Sequence, residues 1–306
     1  MLTYYKTVDG QIRSIPQLES GCWVNLVEPT EKELTQLSEL LPIDTGFLRA
    51  ALDEEETSRI EMEDDQTLII IDLPITQKEV RVTYSTIPVG IIIIEDYLIT
   101  VCLKETPILK EISEGALRNI HTQMRTRFIF TLLLRTASRY LQNLRQIDKI
   151  SNYIERQLYK SQRNKELILL LELEKSLVYF STSLKANEAT IEKLLRGRYL
   201  KIYEEDQDLL EDVLVEIRQA IEMANIYSSI LAGMMDAFAS VISNNLNVIM
   251  KTLTSVTILI TIPNIIYSFY GMNVGSLPIP FAWFPMALSL GLMALGAFIL
   301  HKKDLF

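Results

Sequence analysis

The chain passes through three regimes of hydrophobic and polar spacing. In roughly its first third, short runs rich in Ile and Val are punctuated by Gly, Pro and Asp, the pattern of strands. Strands are predicted over 22–27, 59–63, 68–73, 81–84, 89–94 and 98–103. Thr30 and Glu33, after Pro29, have capping-box spacing and predict a helix start; a shorter helix is predicted over 45–52. An α/β or α+β domain follows from this alternation. After Pro107 the pattern changes. Between Lys110 and Gly197 there is no Pro and, apart from Gly115, no Gly, while Leu, Ile, Arg, Gln and Glu recur with helical period. The polar break 160–164 divides this stretch into two antiparallel helices. From about Tyr203 to Tyr270 the breakers are Gly233 and Pro263. One helix of that length would run about 100 Å at 1.5 Å per residue, and needs partners from the hairpin or from other subunits.

Residues 252–269 carry no charge, and neither do 274–300. Each segment approaches the ~20 residues that cross a ~30 Å hydrocarbon core. The connection 270–280, rich in Gly and Pro, permits a hairpin of two spans; the competing reading is a buried hairpin in a soluble core. His301, Lys302 and Lys303 close the second span like a stop-transfer anchor. Lys251 precedes the first span and the connection has no Lys or Arg, so both ends are predicted to be cytoplasmic, with 270–280 outside.

Steps of four and three along the long helix pick out Ser229, Gly233, Asp236, Ser240, Ser243, Asn247, Met250, Thr254, Thr257, Thr261, Asn264 and Ser268. Nearly all are small or polar, whereas flanking positions such as Ile258, Ile260 and Ile265 are large and aliphatic. A seven-residue stripe keeps facing one axis when helices supercoil left-handedly. In lipid such a stripe either packs helices closely or lines a wet pathway. Two asparagines on it, with an acid at its cytoplasmic end, favour the pathway. Two spans cannot surround water alone, so a pore requires a homo-oligomer.

At the outer end of the first span stands Tyr270-Gly271-Met272-Asn273. The tripeptide is weak by itself; its position after a charge-free span, before a second span and at the end of a long helix is not. In these features the sequence resembles the CorA magnesium-transporter family. Gly233, Asp236, Ser243, Asn247, Met250, Lys251, Leu253 and Pro263 are spaced as in the family's stalk helices, apart from about one residue at the proline. The resemblance is specific at 225–303 and pattern-level in the N-terminal domain.

The resemblance implies a funnel-shaped homopentamer in the cell (inner or plasma) membrane. It would comprise an α/β cytoplasmic domain (1–109), a helical hairpin (110–200) and a stalk helix (201–270) entering the first span at about 250. The outer loop (271–280), second span (281–301) and basic tail (302–306) follow. Gly271, Met272 and Asn273 would form the selectivity motif, with Asn273 ringing the entrance. Asn247, Met250 and Leu253 would line the inner gate, and the rest of the stripe the pore. Mg²⁺ gives up its water reluctantly, and amide oxygens can accept hydrogen bonds from its hydration shell without trapping it. Family loops after the motif often carry an acid; 274–281 has none, which leaves Zn²⁺, Co²⁺ and Ni²⁺ open as alternative cargo.

Composition narrows the classes further. The 306 residues carry a formal charge of −9, so a nucleic-acid partner is not expected. Two cysteines, Cys22 and Cys102, and two histidines, His121 and His301, cannot form a four-ligand zinc site of Cys and His. The N-terminal residues lack a basic start and apolar run, so no secretory signal is expected. No phosphate loop or triad pattern appears, so neither an enzyme nor an organic cofactor is expected. A membrane-tethered scaffold or sensor is the alternative from another class.

Two acidic groups stand out, one at 53–65 and one at 204–212. The first reads as a solvated face. In the second, Asp208 and Asp212 stand at i, i+4, where like charges repel. A divalent cation shared between subunits would relieve that repulsion. Asp212 falls where the family places its intersubunit regulatory acid, with Asp208 beside it and Glu79 as a guessed partner. Mg²⁺ would then be both cargo and closing signal.

Overall fold

A computed structural model of the chain describes residues 1–77, 83–117, 120–161, 164–196, 199–272, 279, 281 and 283–303. It divides into two units, Met1–Met234 and Met235–Phe306.

The first unit is built on a seven-stranded sheet of β1 (Leu2–Val8), β2 (Gln11–Ile15), β3 (Trp23–Val27), β4 (Arg59–Glu63), β5 (Gln66–Gln77), β6 (Thr83–Ile94) and β7 (Tyr97–Cys102). The spatial order is β2-β1-β3-β7-β6-β5-β4. β3 and β7 pair in parallel and every other neighbour pair is antiparallel. β1 and β2 are strands beyond those the sequence pattern predicted. Their turn, Asp9-Gly10, has both residues at positive φ, 52° and 74°, the conformation a two-residue hairpin requires.

Of the runs at 81–84 and 89–94, predicted as separate strands, residues 81 and 82 lie outside the described residues, and the rest join across Pro88 into β6. The proline is tolerated because it lies one residue beyond the last pair with β7, Val89 with Cys102, where the ladder needs no donor. Opposite Pro88 stands Asp72, beyond the end of β4. The amide of Asn187 takes the backbone groups left over there. Its Oδ1 accepts from the Asp72 N–H at 2.9 Å, its Nδ2 donates to the Asp72 carbonyl at 2.9 Å, and Tyr140 OH donates to that carbonyl at 3.0 Å. Burial pushes the Asp72 carboxyl up, against the Ser183 and Ser58 hydroxyls that bond it.

Two helices, α1 (Glu31–Leu40) and α2 (Thr45–Ala50), cover one sheet face through Leu34, Leu37, Phe47 and Leu48 against Val24, Leu26, Leu68, Ile70, Ile92 and Val101. Trp23 points the other way, its ring tilted against Phe128 of α4 (Arg125–Ser161) with centroids 5.2 Å apart. α4 and α5 (Asn164–Leu195) lie on either side of the polar break. Tyr140 and Phe180, on opposite sides of it, meet edge to face at 5.0 Å, as a folded-back hairpin demands. α3 (Pro107–Ser113) starts at a Thr106 cap with Pro in its first turn, so the predicted division at 109 falls inside a helix. Both cysteines are buried, and burial pushes the Cys102 thiol up to about 12.

α6 runs from Glu204 to Tyr270 and α7 from Trp283 to Lys302. Within the first unit, α6 buries Leu210, Val213, Ile217, Ala220 and Ala224 at helical spacing. Arg218 ties it to α5, donating to Glu188 at 2.7 Å and Glu192 at 2.5 Å.

The capping box at Thr30 and Glu33 is present. The Glu33 carboxylate accepts from the Thr30 N–H at 2.8 Å and the Leu2 N–H at 2.9 Å, and lies 3.3 Å from the N-terminal ammonium. The Thr30 N–H bond leads the causes that hold this carboxyl at about 2 instead of 4.5. A lowered folded value stabilises fully above the ordinary range, and that stabilisation is lost as pH falls from there toward 2. Glu33→Ala, which removes both acceptor oxygens from the box, should therefore lower the melting midpoint of the full chain at pH 7 by an amount matching about 1 kcal/mol, the usual scale of a lost capping interaction. In circular-dichroism melts, the difference from wild type should narrow as the buffer is taken from pH 5 toward pH 2.

Candidate functional site

In the second unit α6 and α7 form an antiparallel pair. Tyr270 faces Phe284 with ring centres 6.3 Å apart, and Tyr267 OH lies 3.2 Å from Ser289 Oγ. Further along, a Cβ on Gly296 would come within 3.3 Å of Ile262 Cδ1 and Leu259 Cδ2. The α6 side of this seam runs through buried Ser255 and half-buried Leu259, Ile262, Ile266 and Tyr270. On α7 it uses Pro285, Ser289 and Gly296, small or compact residues that let the backbones approach. The sequence pattern had marked the stripe but not this seam, although the spacing of Ser289 and Gly296 on an apolar helix was a usable signal.

The predicted stripe lies elsewhere on the same helix. At 100° per residue, the mean direction of Thr254, Thr257, Thr261, Asn264 and Ser268 is roughly 160° from that of the seam. All twelve stripe members from Ser229 to Ser268, including Asp236, Ser243, Asn247 and Met250, are exposed in the single chain, as is Leu253. α7 thus covers one side of α6 and leaves the polar side bare.

The hydroxyls on that side have a defined polarity. Thr257 donates to the Leu253 carbonyl at 2.8 Å, Thr261 to the Thr257 carbonyl at 2.7 Å, and Ser240 to the Asp236 carbonyl at 3.1 Å. Each hydroxyl has one proton, and here it is bonded back into the helix. What these oxygens present outward is acceptor lone pairs, suited to a donor such as water on a cation.

α6 ends at the motif. Gly271 N–H donates to the Tyr267 carbonyl at 2.9 Å and Met272 N–H to the Phe269 carbonyl at 3.3 Å. A Cβ at 271 would sit 3.2 Å from the Tyr267 oxygen, a tight contact that glycine avoids. Met272 is exposed. Asn273 and the loop at 274–278 lie outside the described residues, as does Glu79.

The acids separate into two kinds of environment. In the first group, Glu54 pairs with Lys104 at 3.1 Å, and Arg59 bonds Glu56 and Glu61, as a solvated face would be arranged. Asp208 and Asp212 are exposed on α6, away from its buried Leu210 and Val213. Among the described residues, no three His, Cys, Asp or Glu side chains are grouped to hold a metal.

Both α6 and α7 contain a stretch long and apolar enough to span a bilayer, and 11% of each such stretch is buried. A hairpin in a soluble core would be mostly covered, so the buried-core alternative falls. The sequence pattern that defines the family described as CorA-like Mg²⁺ transporter protein matches residues 19–302. The chain belongs to the CorA family. It is 30% identical, over 298 residues, to the cobalt/magnesium transport protein CorA of Methanocaldococcus jannaschii, covering 92% of this chain and 90% of that one. The complete structure of the CorA magnesium transporter from the same organism superposes with a TM-score of 0.84 at 26% identity, covering 99% and 98% of the two chains. The full-length CmaX structure shares the fold, with a TM-score of 0.70 at 13% identity over 99% of this chain and 97% of that one. The CorA fold of this chain therefore consists of a sheet domain, a long helix and two apolar C-terminal helices.

Gly296→Leu should separate α7 from Leu259 and Ile262, at a cost of about 1–3 kcal/mol for overpacking. A lowered melting midpoint of the detergent-solubilised protein, with its circular dichroism retained below that midpoint, is the expected result.

Proposed function

We propose that this CorA-family chain is one subunit of a Mg²⁺ uptake channel, with five copies of α6 turning their polar stripes toward a common axis. The observation that carries this reading is the exposure of the entire stripe on the side of α6 opposite the α7 seam. In this arrangement α7 forms an outer ring against lipid. Hydrated Mg²⁺ meets Asn273 at the outer entrance, then the acceptor oxygens of Asn264, Thr261, Thr257 and Thr254. Met250 and Leu253 close the inner end by dewetting, with Asn247 beside them, and Asp236, Ser240 and Ser243 continue the path toward the cytoplasm. Neutral oxygens bind the hydrated ion weakly enough for it to leave.

Lys251, Lys302 and Lys303 hold both ends on the cytoplasmic side. An inside-negative potential then drives entry, at about 2.3 kcal/mol per elementary charge per 100 mV. Asp208 and Asp212 supply part of an intersubunit Mg²⁺ site, with Glu79 as candidate partner, that holds the stalks together when internal Mg²⁺ is high. Co²⁺ is the second reading of the cargo, because the relative from M. jannaschii is named for both metals. A membrane-tethered scaffold has no use for acceptor oxygens aligned at membrane depth.

Flux into proteoliposomes tests the proposal. Mg²⁺ should enter under an inside-negative potential whether or not a proton gradient is imposed, with Co²⁺, Ni²⁺ and Zn²⁺ run alongside. Asn273→Ala, or Thr257→Val with Thr261→Val, should cut flux by about tenfold or more, about 1.4 kcal/mol on the barrier, with the oligomer intact. Unchanged flux in both variants would favour the scaffold.

Asp212→Ala should shift closure to higher internal Mg²⁺. Inhibition at the wild-type concentration would remove Asp212 from the regulatory site.

A further inference from the structure

The first unit contains a cavity of about 1240 Å³ that the transport path does not use. Its walls are the β4–β5 turn with Asp64 and Asp65, the β6–β7 turn with Glu95, the first turn of α4, and residues 199–206 leading into α6. Small-molecule sites commonly measure about 300–1,000 Å³, so there is room for a nucleotide-sized ligand and its water.

Two features of the walls call for a partner. Asp206, in the first turn of α6, lines the cavity at 6% exposure, and its carboxylate makes no hydrogen bond or ion pair among the described residues. The helix dipole favours an acid there, and the carboxylate opens into the cavity instead of bonding a described protein group. The second feature is the start of α4, where Arg125 and Arg127 occupy a first turn that contains no acid. Cations at the positive end of a helix oppose its dipole. An anion held between these arginines and the free N–H groups of that turn would reverse the conflict. Lys201, over the Tyr203 ring at 5.4 Å, adds a third cation to the same walls.

The mixture of signs narrows the ligand. A bare anion would face six wall carboxylates against three cations. A bare divalent cation would find no three-acid cage among the described residues. Mg²⁺, however, is commonly held by one or two carboxylates together with phosphate oxygens, keeping much of its water. We infer that this cavity binds a polyphosphate that carries its own divalent cation, a nucleoside di- or triphosphate being of the size that fills it. The phosphates lie against Arg125, Arg127 and the first N–H groups of α4, and the hydrated cation lies toward Asp206. Tyr199, Met62 and Met124 provide apolar wall for the remainder. The site stands on the cytoplasmic unit alone and does not depend on the conduction path.

Calorimetric titration of the purified full-length protein with Mg²⁺–ATP, Mg²⁺–pyrophosphate, Mg²⁺ alone and ATP with EDTA tests this. Mg²⁺–ATP should bind saturably, and ATP with EDTA about tenfold more weakly or worse. Asp206→Asn, and separately Arg125→Ala with Arg127→Ala, should each weaken Mg²⁺–ATP about tenfold or more at an unchanged melting midpoint. Equal affinity for Mg²⁺–pyrophosphate would assign recognition to the polyphosphate alone, and weaker affinity would assign part of it to the nucleoside. The inference is overturned by the absence of saturable binding at millimolar Mg²⁺–ATP and Mg²⁺–pyrophosphate, by heat fully reproduced with Mg²⁺ alone, or by affinities that neither folded variant changes.

Discussion

A row of amide and hydroxyl groups inside hydrocarbon has no solvent of its own, and the rest of this molecule follows from that constraint. One side of α6 meets α7 through Leu259, Ile262 and Ile266, which a neighbouring helix or lipid can satisfy. The other side presents Thr254, Thr257, Thr261 and Asn264, which a single chain leaves bare. The back-bonding of Thr257 and Thr261 removes their donors from the problem and leaves acceptors outward. The outward lone pairs of Thr257 and Thr261 cannot satisfy one another across a helix contact. Water or hydrated cations can satisfy them, and in the proposed assembly they do.

The first unit holds the stalk portion of α6 against its helical hairpin. Its sheet is covered on one side by α1 and α2 and on the other by the α4–α5 hairpin. Asn187 and Tyr140 join that hairpin to the sheet where β4 gives out. Arg218 then joins the hairpin to α6. These polar ties are directional, whereas the apolar contacts around them are not, so they set where α6 leaves the domain.

Much of this was legible from residue order because the signals were local. The capping box at Thr30, the apolar spans and the three-and-four stripe each depend on neighbours within a turn or two. Asp9-Gly10 was equally local, yet β1 and β2 escaped because their polar residues dilute the alternation at the sheet edge. β6 looked broken at Pro88 because nothing in sequence reveals that β7 has already ended there. The seam and the cavity were less accessible. Gly296 matters through Leu259 and Ile262 on another helix, and Asp206 stands out because its carboxylate has no bonded partner among the described residues, which no sequence pattern displays. Asn273 and Glu79 rest on the motif and on family likeness, outside the described residues.

Solvent access along α6 in the assembled membrane protein tests the central claim most directly. The two native cysteines are buried, so single cysteines can be placed against a quiet background. A charged, water-soluble thiol reagent should modify cysteines at Thr257, Thr261 and Asn264 and spare those at the flanking Ile258, Ile260 and Ile265. Stripe positions as inert as the isoleucines, or isoleucines labelled as fast as the stripe, would contradict a water-filled path along this face.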